Sequence, residues 1–188
     1  MQLAGILLAA GRGRRFDPSG ASNKLLAPLA SGEPVVLASA RALLANLSLV
    51  VAVVPPDDGG VGDALRVLGC SVTVCPAADS GMGASLAHAV GEAPGADGWL
   101  IALADMPYVQ GATVASLCAA IEQGAGIAVP VHEGRRGNPV AFGAAYRDAL
   151  LALAGDQGAR AIVRSHPVTE VQVSDSGIFQ DIDTRADL

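Results

Sequence analysis

Short, continuous apolar runs separated by amphipathic stretches constrain this chain more than any other feature. Leu3 to Leu8 (LAGILL) and Leu49 to Val54 (LVVAVV) carry no polar side chain. Neither alternates as a half-solvated strand does. Strands that are apolar on both faces are buried on both, which calls for a parallel sheet covered by helices on each side. Ser71 to Val74 and Trp99 to Ala104 read as further strands. Helical spacing falls between them, at Val35 to Ala45, Gly62 to Leu68 and Ala84 to Val90. The fold class expected is therefore α/β: a three-layer α/β/α, Rossmann-like, mostly parallel sheet in one domain over residues 1–188.

The alternation loosens after Asp105. Ala112 to Glu122 reads as a helix and Ile127 to Val131 as a strand. A basic turn at Arg135 and Arg136 follows, then an apolar run from Pro139 to Phe142. Ala144 to Leu153 and Ala159 to Ser165 look helical. Val168 to Val173 and Ile178 to Ile182 read as strands. No repeat or linker interrupts the chain.

Composition excludes several classes of function. Hydrophobic residues make up 51% and charged residues 16%, too apolar a balance for disorder. The net charge of −6 disfavours a nucleic acid polymer as partner, which needs a broad basic surface. A small polyanion can still be held by a few local groups. The first apolar run is too short to cross a membrane, and no basic segment precedes it as a signal peptide requires. A cytoplasmic protein with no membrane anchor is expected. Cys70, Cys75 and Cys118 form no CxxC pair and read as reduced thiols. Cys70 and Cys75 bound one expected strand at an odd spacing, so they should face opposite sides of the sheet.

In open sheets of this kind ligands bind beyond the carboxyl ends of the strands. Two motifs fall there. Leu8-Ala9-Ala10-Gly11-Arg12-Gly13-Arg14-Arg15-Phe16 closes the first strand. Gly11 and Gly13 let backbone N–H groups turn inward into an anion cradle, and three arginines add positive charge. Lys24 follows shortly after. A bound triphosphate is the simple reading; a glycine-requiring basic surface turn is the plainer one. A dinucleotide-binding loop would place glycine where Phe16 stands, and no P-loop pattern is present. The second motif, Leu100 to Pro107, is an apolar strand ending in the carboxylate of Asp105. Mg²⁺ takes one or two carboxylates plus phosphate oxygens, which suits this position.

Asp181 and Asp183 lie two apart and share a face if that segment is a strand. Asp183 either completes a Mg²⁺ site or caps a final turn. Ser80 to Leu86 (SGMGASL) starts a helix with glycines; Gly81, Met82 and Ser85 either meet a nucleotide or merely begin the helix. Gly134 to Pro139 and Gly155 to Arg160 are either plain connections or an acceptor pocket, with Arg135, Asn138, Asp156 and Arg160 as its polar groups. His88, His132 and His166 have no matching nucleophile elbow, so a hydrolase triad is not expected.

Taken in order, these motifs form a family pattern: LAAGxGxR at Leu8 to Arg15, Lys24, GMGxSL at Gly81 to Leu86, LADMP at Leu103 to Pro107, GNPV at Gly137 to Val140, GDxGAR at Gly155 to Arg160, and DIDT at Asp181 to Thr184. The chain resembles the molybdenum cofactor cytidylyltransferase branch of the molybdopterin nucleotidyltransferases. The resemblance implies transfer of CMP from CTP to molybdopterin with release of pyrophosphate. It implies Gly11, Gly13 and Arg15 on the triphosphate, beside the Arg14 of the same basic loop, Lys24 on the phosphates, Asp105 on Mg²⁺ and Asp183 as second ligand. A molybdenum hydroxylase receiving the cofactor is an implied partner. LAAG in place of the LAGG of the guanylyl branch favours CTP, as does GMGxSL. Phe16-Asp17 replaces the family's usual Met-Gly, Asn138 a frequent His, and Arg185 a common Pro. Within enzymes the rivals are a guanylyl or other small-molecule nucleotidylyltransferase and an NAD(P)-dependent oxidoreductase.

Overall fold

The computed structural model describes residues 1–11, 15–17, 19 and 22–188. Among these, eight strands form one sheet: β1 Leu3–Leu8, β2 Leu49–Val54, β3 Ser71–Val74, β4 Gly98–Leu103, β5 Ile127–His132, β6 Arg135–Arg136, β7 Val140–Gly143 and β8 Thr169–Gln172. Their order is β3-β2-β1-β4-β7-β5-β6, with β8 on β5. β1 pairs in parallel with β2 and β4, β2 with β3, and β5 with β8. Only β6 and β7 run against their partners. The sheet is thus mixed and mostly parallel, as the apolar runs require.

Helices cover both faces. α1 (Val35–Leu44), α2 (Val61–Leu68) and α4 (Gly111–Glu122) bury Val36, Leu43, Leu65, Leu117 and Ile121 against Leu7, Val50, Ala52 and Leu100. On the other face, α3 (Met82–Gly91), α5 (Arg147–Leu151) and α6 (Arg160–Ser165) bury Leu86, Val90, Leu150 and Ile162 against Ile6, Val51, Val53 and Trp99. Successive residues of β2 enter opposite cores, which is why the strand is apolar throughout. Cys70 lies in one core and Cys75 in the other, as their spacing implies. All three cysteines are buried free thiols. Among the described residues no helix is long and apolar enough to cross a membrane.

The structure corrects some expected elements. Arg135 and Arg136 form a short strand rather than a loose turn. The two residues joining it to β5, Glu133 (φ 49°) and Gly134 (φ 74°), both adopt positive φ, the backbone of a tight hairpin. The stretch 144–153 splits into a 3-10 turn, Ala144–Tyr146, and the short α5. The expected strand Ile178 to Ile182 is absent. A 3-10 turn, Ser176–Phe179, begins there instead. The outer edge of β5 already carries β8, so that stretch finds no ladder to join. The buried carboxylate of Asp175 also folds the chain away from a strand by accepting from Gly177 N, Gln110 N and Thr113 Oγ1.

Candidate functional site

The carboxyl edge of the sheet gathers residues distant in sequence. Ala9 N donates to Val53 O and Ala104 N to Leu8 O, so the start of the glycine loop is tied between β2 and the end of β4. Leu8 ends β1, Ala9 is buried, Ala10 is half-buried, and Gly11 is exposed with open space where a side chain would project. Arg12, Gly13 and Arg14 lie outside the described residues. Phe16 packs into the core, and Arg15 reaches the chain's tail.

The tail comes to the same edge because its backbone is bonded there. Ile182 N donates to Asp105 O at 2.8 Å, and the Ile182 side chain is buried. The aspartates on either side of it are thereby carried to the end of β4. Asp105, Asp181 and Asp183 each offer an oxygen within 4.8 Å of the others. Asp181 joins the cluster although sequence reasoning did not name it as a candidate ligand; its two-residue spacing from Asp183 is the available signal.

Among the described residues, two cations enter this cluster. Lys24 Nζ lies 2.6 Å from Asp105 Oδ2 and 3.7 Å from Asp183 Oδ1, and donates to Ile182 O at 3.0 Å. Its side chain is only 10% exposed. A lysine this buried is held by its partners, since an unpaired ammonium out of water is costly. Asn23 caps the 3-10 turn Lys24–Leu26 by accepting from Leu25 N, which fixes the lysine's stem. Arg15 contacts Asp183 Oδ2 at 2.7 Å but is 80% exposed, so that pair is screened by water.

Asp183 does not cap the final turn. Thr184 is the cap, in a capping box with Asp187. The Asp187 carboxylate accepts from Asp183 N, Thr184 N and Thr184 Oγ1. These bonds, the Thr184 backbone N–H foremost, hold its carboxyl below the usual 3.8. Arg185 then donates to Ser22 Oγ and lies over the Phe16 ring at 5.4 Å, drawing tail and loop together. Phe16 and Arg185, two departures from the family pattern, are thus partners.

The start of α3 and the turn at 155–157 pack against each other. Gly83 N donates to Gly155 O at 2.8 Å. A Cβ on Gly83 would sit 2.4 Å from Gln157 O, and one on Gly81 (φ 130°) would sit 2.4 Å from Gly155 O and Asp156 Oδ1. These glycines permit a close backbone approach. Met82 is half-exposed and Ser85 is buried beside them. Asp156, grouped by sequence with the acceptor, therefore stands next to Gly81, grouped with the nucleotide, and Gly158 lies beside Met82; Arg160 is exposed at the start of α6. Arg136 pairs with Glu170, whereas the Arg135 guanidinium lies 4.4 Å over the Phe179 ring. Asn138 is half-buried, and its N–H donates to Ile178 O.

A family profile described as the MobA-like NTP transferase domain matches residues 5–171. The chain belongs to this family. Solved structures agree with the assignment. Rv0371c from Mycobacterium tuberculosis H37Rv is 29% identical with a TM-score of 0.82, covering 100% of this chain and 95% of its own. The same protein in complex with manganese gives 28% identity and a TM-score of 0.79, with 100% and 96% covered. A nucleotidyl transferase from Methanothermobacter is 26% identical with a TM-score of 0.83, covering 99% and 94%. Comparison with curated proteins gives no match. This member of the MobA-like family is a nucleotidyltransferase with a carboxylate cluster suited to a divalent metal.

Proposed function

We propose that this nucleotidyltransferase moves CMP from CTP to the phosphate of molybdopterin, releasing pyrophosphate, as one Mg²⁺-dependent cytoplasmic domain. One observation carries the reading: Lys24 and Arg15 meet Asp105 and Asp183 at the carboxyl edge of the sheet. Asp105 and Asp183, with Asp181, would hold the metal. The donor set fits, because three converging carboxylate oxygens suit a hard divalent cation such as Mg²⁺ or Mn²⁺. The manganese in the Rv0371c complex supports this. Bound there, the ion would supply charge neutralisation for the phosphates.

The acceptor phosphate oxygen attacks the α-phosphorus, the bond to the β-phosphate bridging oxygen breaks, and pyrophosphate leaves with that electron pair. The acceptor phosphate is already ionised, so no side-chain nucleophile is required. Lys24 and Arg15 offset the charge that builds on the leaving pyrophosphate, and catalysis is positioning plus charge stabilisation. Leu8, Ala9, Ala10, Gly11, Gly13 and Arg14 would line the triphosphate. Gly81, Met82 and Ser85 would meet the nucleoside. Arg135, Asn138, Asp156 and Arg160 would hold the acceptor, and a molybdenum hydroxylase would receive the product. LAAG and GMGxSL support CTP.

The test is pyrophosphate release from CTP, GTP, ATP and UTP, with and without molybdopterin and Mg²⁺. CTP with both should give the highest rate, and Lys24→Ala should lower it about a hundredfold, or ~3 kcal/mol. Preference for another nucleotide, no dependence on molybdopterin, or full turnover by Lys24→Ala refutes the corresponding part.

A further inference from the structure

Lys24 makes its contacts with the oxygens that a divalent ion needs. Its ammonium touches Asp105 Oδ2 at 2.6 Å, approaches Asp183 Oδ1 at 3.7 Å and donates to the carbonyl between Asp181 and Asp183. An ion at the usual ~2.1 Å from Asp105 Oδ2 would lie within about 4.7 Å of that ammonium. At that separation like charges in a part-buried site repel strongly, and the shared oxygen cannot serve both fully. Arg15 opposes an ion less, because it is exposed and screened. Lys24 has a buried stem, and its charge needs an anionic partner when the carboxylates are taken. A polyphosphate beside the loop is such a partner.

We propose that Lys24 competes with the divalent ion for Asp105 and Asp183, so that metal and triphosphate enter together and not metal first. The triphosphate draws Lys24 off the carboxylates and uncovers them. By reciprocity, each ligand tightens the other by the same factor. The identity of the polyanion rests on the nucleotidyl-transfer reading; the competition between Lys24 and the ion does not. A bare metal ion then binds weakly, and the site fills in the company of the substrate.

The experiment measures Mn²⁺ binding without nucleotide, from the free-ion electron paramagnetic resonance signal. It uses wild type, Lys24→Met, Lys24→Gln and the double variant Lys24→Met/Asp105→Asn, each checked for folding by circular dichroism. Both single variants should bind Mn²⁺ at least ~10-fold tighter than wild type, and the double variant should lose that gain. Unchanged or weaker binding in a folded single variant, a gain that survives in the double variant, or no Mn²⁺ binding by any of them overturns the proposal. Failure of the functional reading shows separately, as wild type releasing no pyrophosphate from any nucleoside triphosphate while the Mn²⁺ ranking stands.

Discussion

Replacing Gly83 with alanine should destabilise the protein, although alanine is the better helix former. Inside a free helix the change would be worth ~1 kcal/mol in alanine's favour. Here the new methyl carbon would lie 2.4 Å from Gln157 O and 2.9 Å from both Ala154 O and Gly155 O. All three are backbone oxygens and cannot rotate aside. Overpacking of this kind costs about 1–3 kcal/mol. Backing the turn away also stretches the Gly83 N to Gly155 O bond, worth about 1 kcal/mol. The balance is a net loss of ~2 kcal/mol, or a fall in Tm of roughly 4–8 °C for a protein of this size. Gly91 is the control. It ends the same helix, and its Cβ would meet only Leu151 Cδ2, at 3.9 Å. Gly91→Ala should leave Tm unchanged or raise it. Thermal melts followed at 222 nm compare the two variants directly. A Gly83→Ala protein that melts at or above the wild-type temperature would refute the argument that these glycines are required by packing.

Further outcomes follow from the thiols and the tail. Burial pushes the Cys70 thiol up to about 11, and burial with Glu122 nearby does the same for Cys118. Both should resist a thiol reagent at pH 8 in the native state and react once urea is added, as peptide mapping would show, because the thiolate is the nucleophile. Folding favours their neutral form, so stability should be level below pH 9 and fall between 9 and about 11. Asp187→Ala should weaken Mn²⁺ binding about tenfold by freeing the backbone of Asp183, measured by the same resonance assay. With its carboxyl held below 3.8, the Asp187 contribution is complete above that pH and is lost as pH falls through the lowered value.

The sheet was legible because burial on both faces leaves no polar position in β1 or β2, and a chain with that pattern has few alternatives. Asp105 was legible for the same reason, as the carboxylate that ends such a run. The tail was not. Ile178 to Ile182 is apolar enough for a strand, and only the full set of pairings shows that β8 already holds the neighbouring edge. Local spacing puts Asp181 and Asp183 on one face only if the segment is a strand, which it is not; the Ile182 backbone bond to Asp105 is what brings both to the end of β4. Likewise the glycines of GMGxSL look alike in sequence whether they face a ligand or a carbonyl. The 155–157 turn that presses on them lies seventy residues away, beyond any periodicity argument.

Reversal of β7 has a consequence for how such a site can change. In an all-parallel sheet only the segments leaving strands reach the carboxyl edge. Because β7 descends from that edge, the segment leading into it, Gly137 to Pro139, sits there as well, beside the ends of β4 and β5. On the proposed assignment of Asn138 to the acceptor, the loop that precedes a strand would gain access to substrate, and it could be lengthened or recoloured chemically without touching the glycine loop or the three aspartates. One inverted strand would then let acceptor preference drift while the machinery for nucleotides stays fixed.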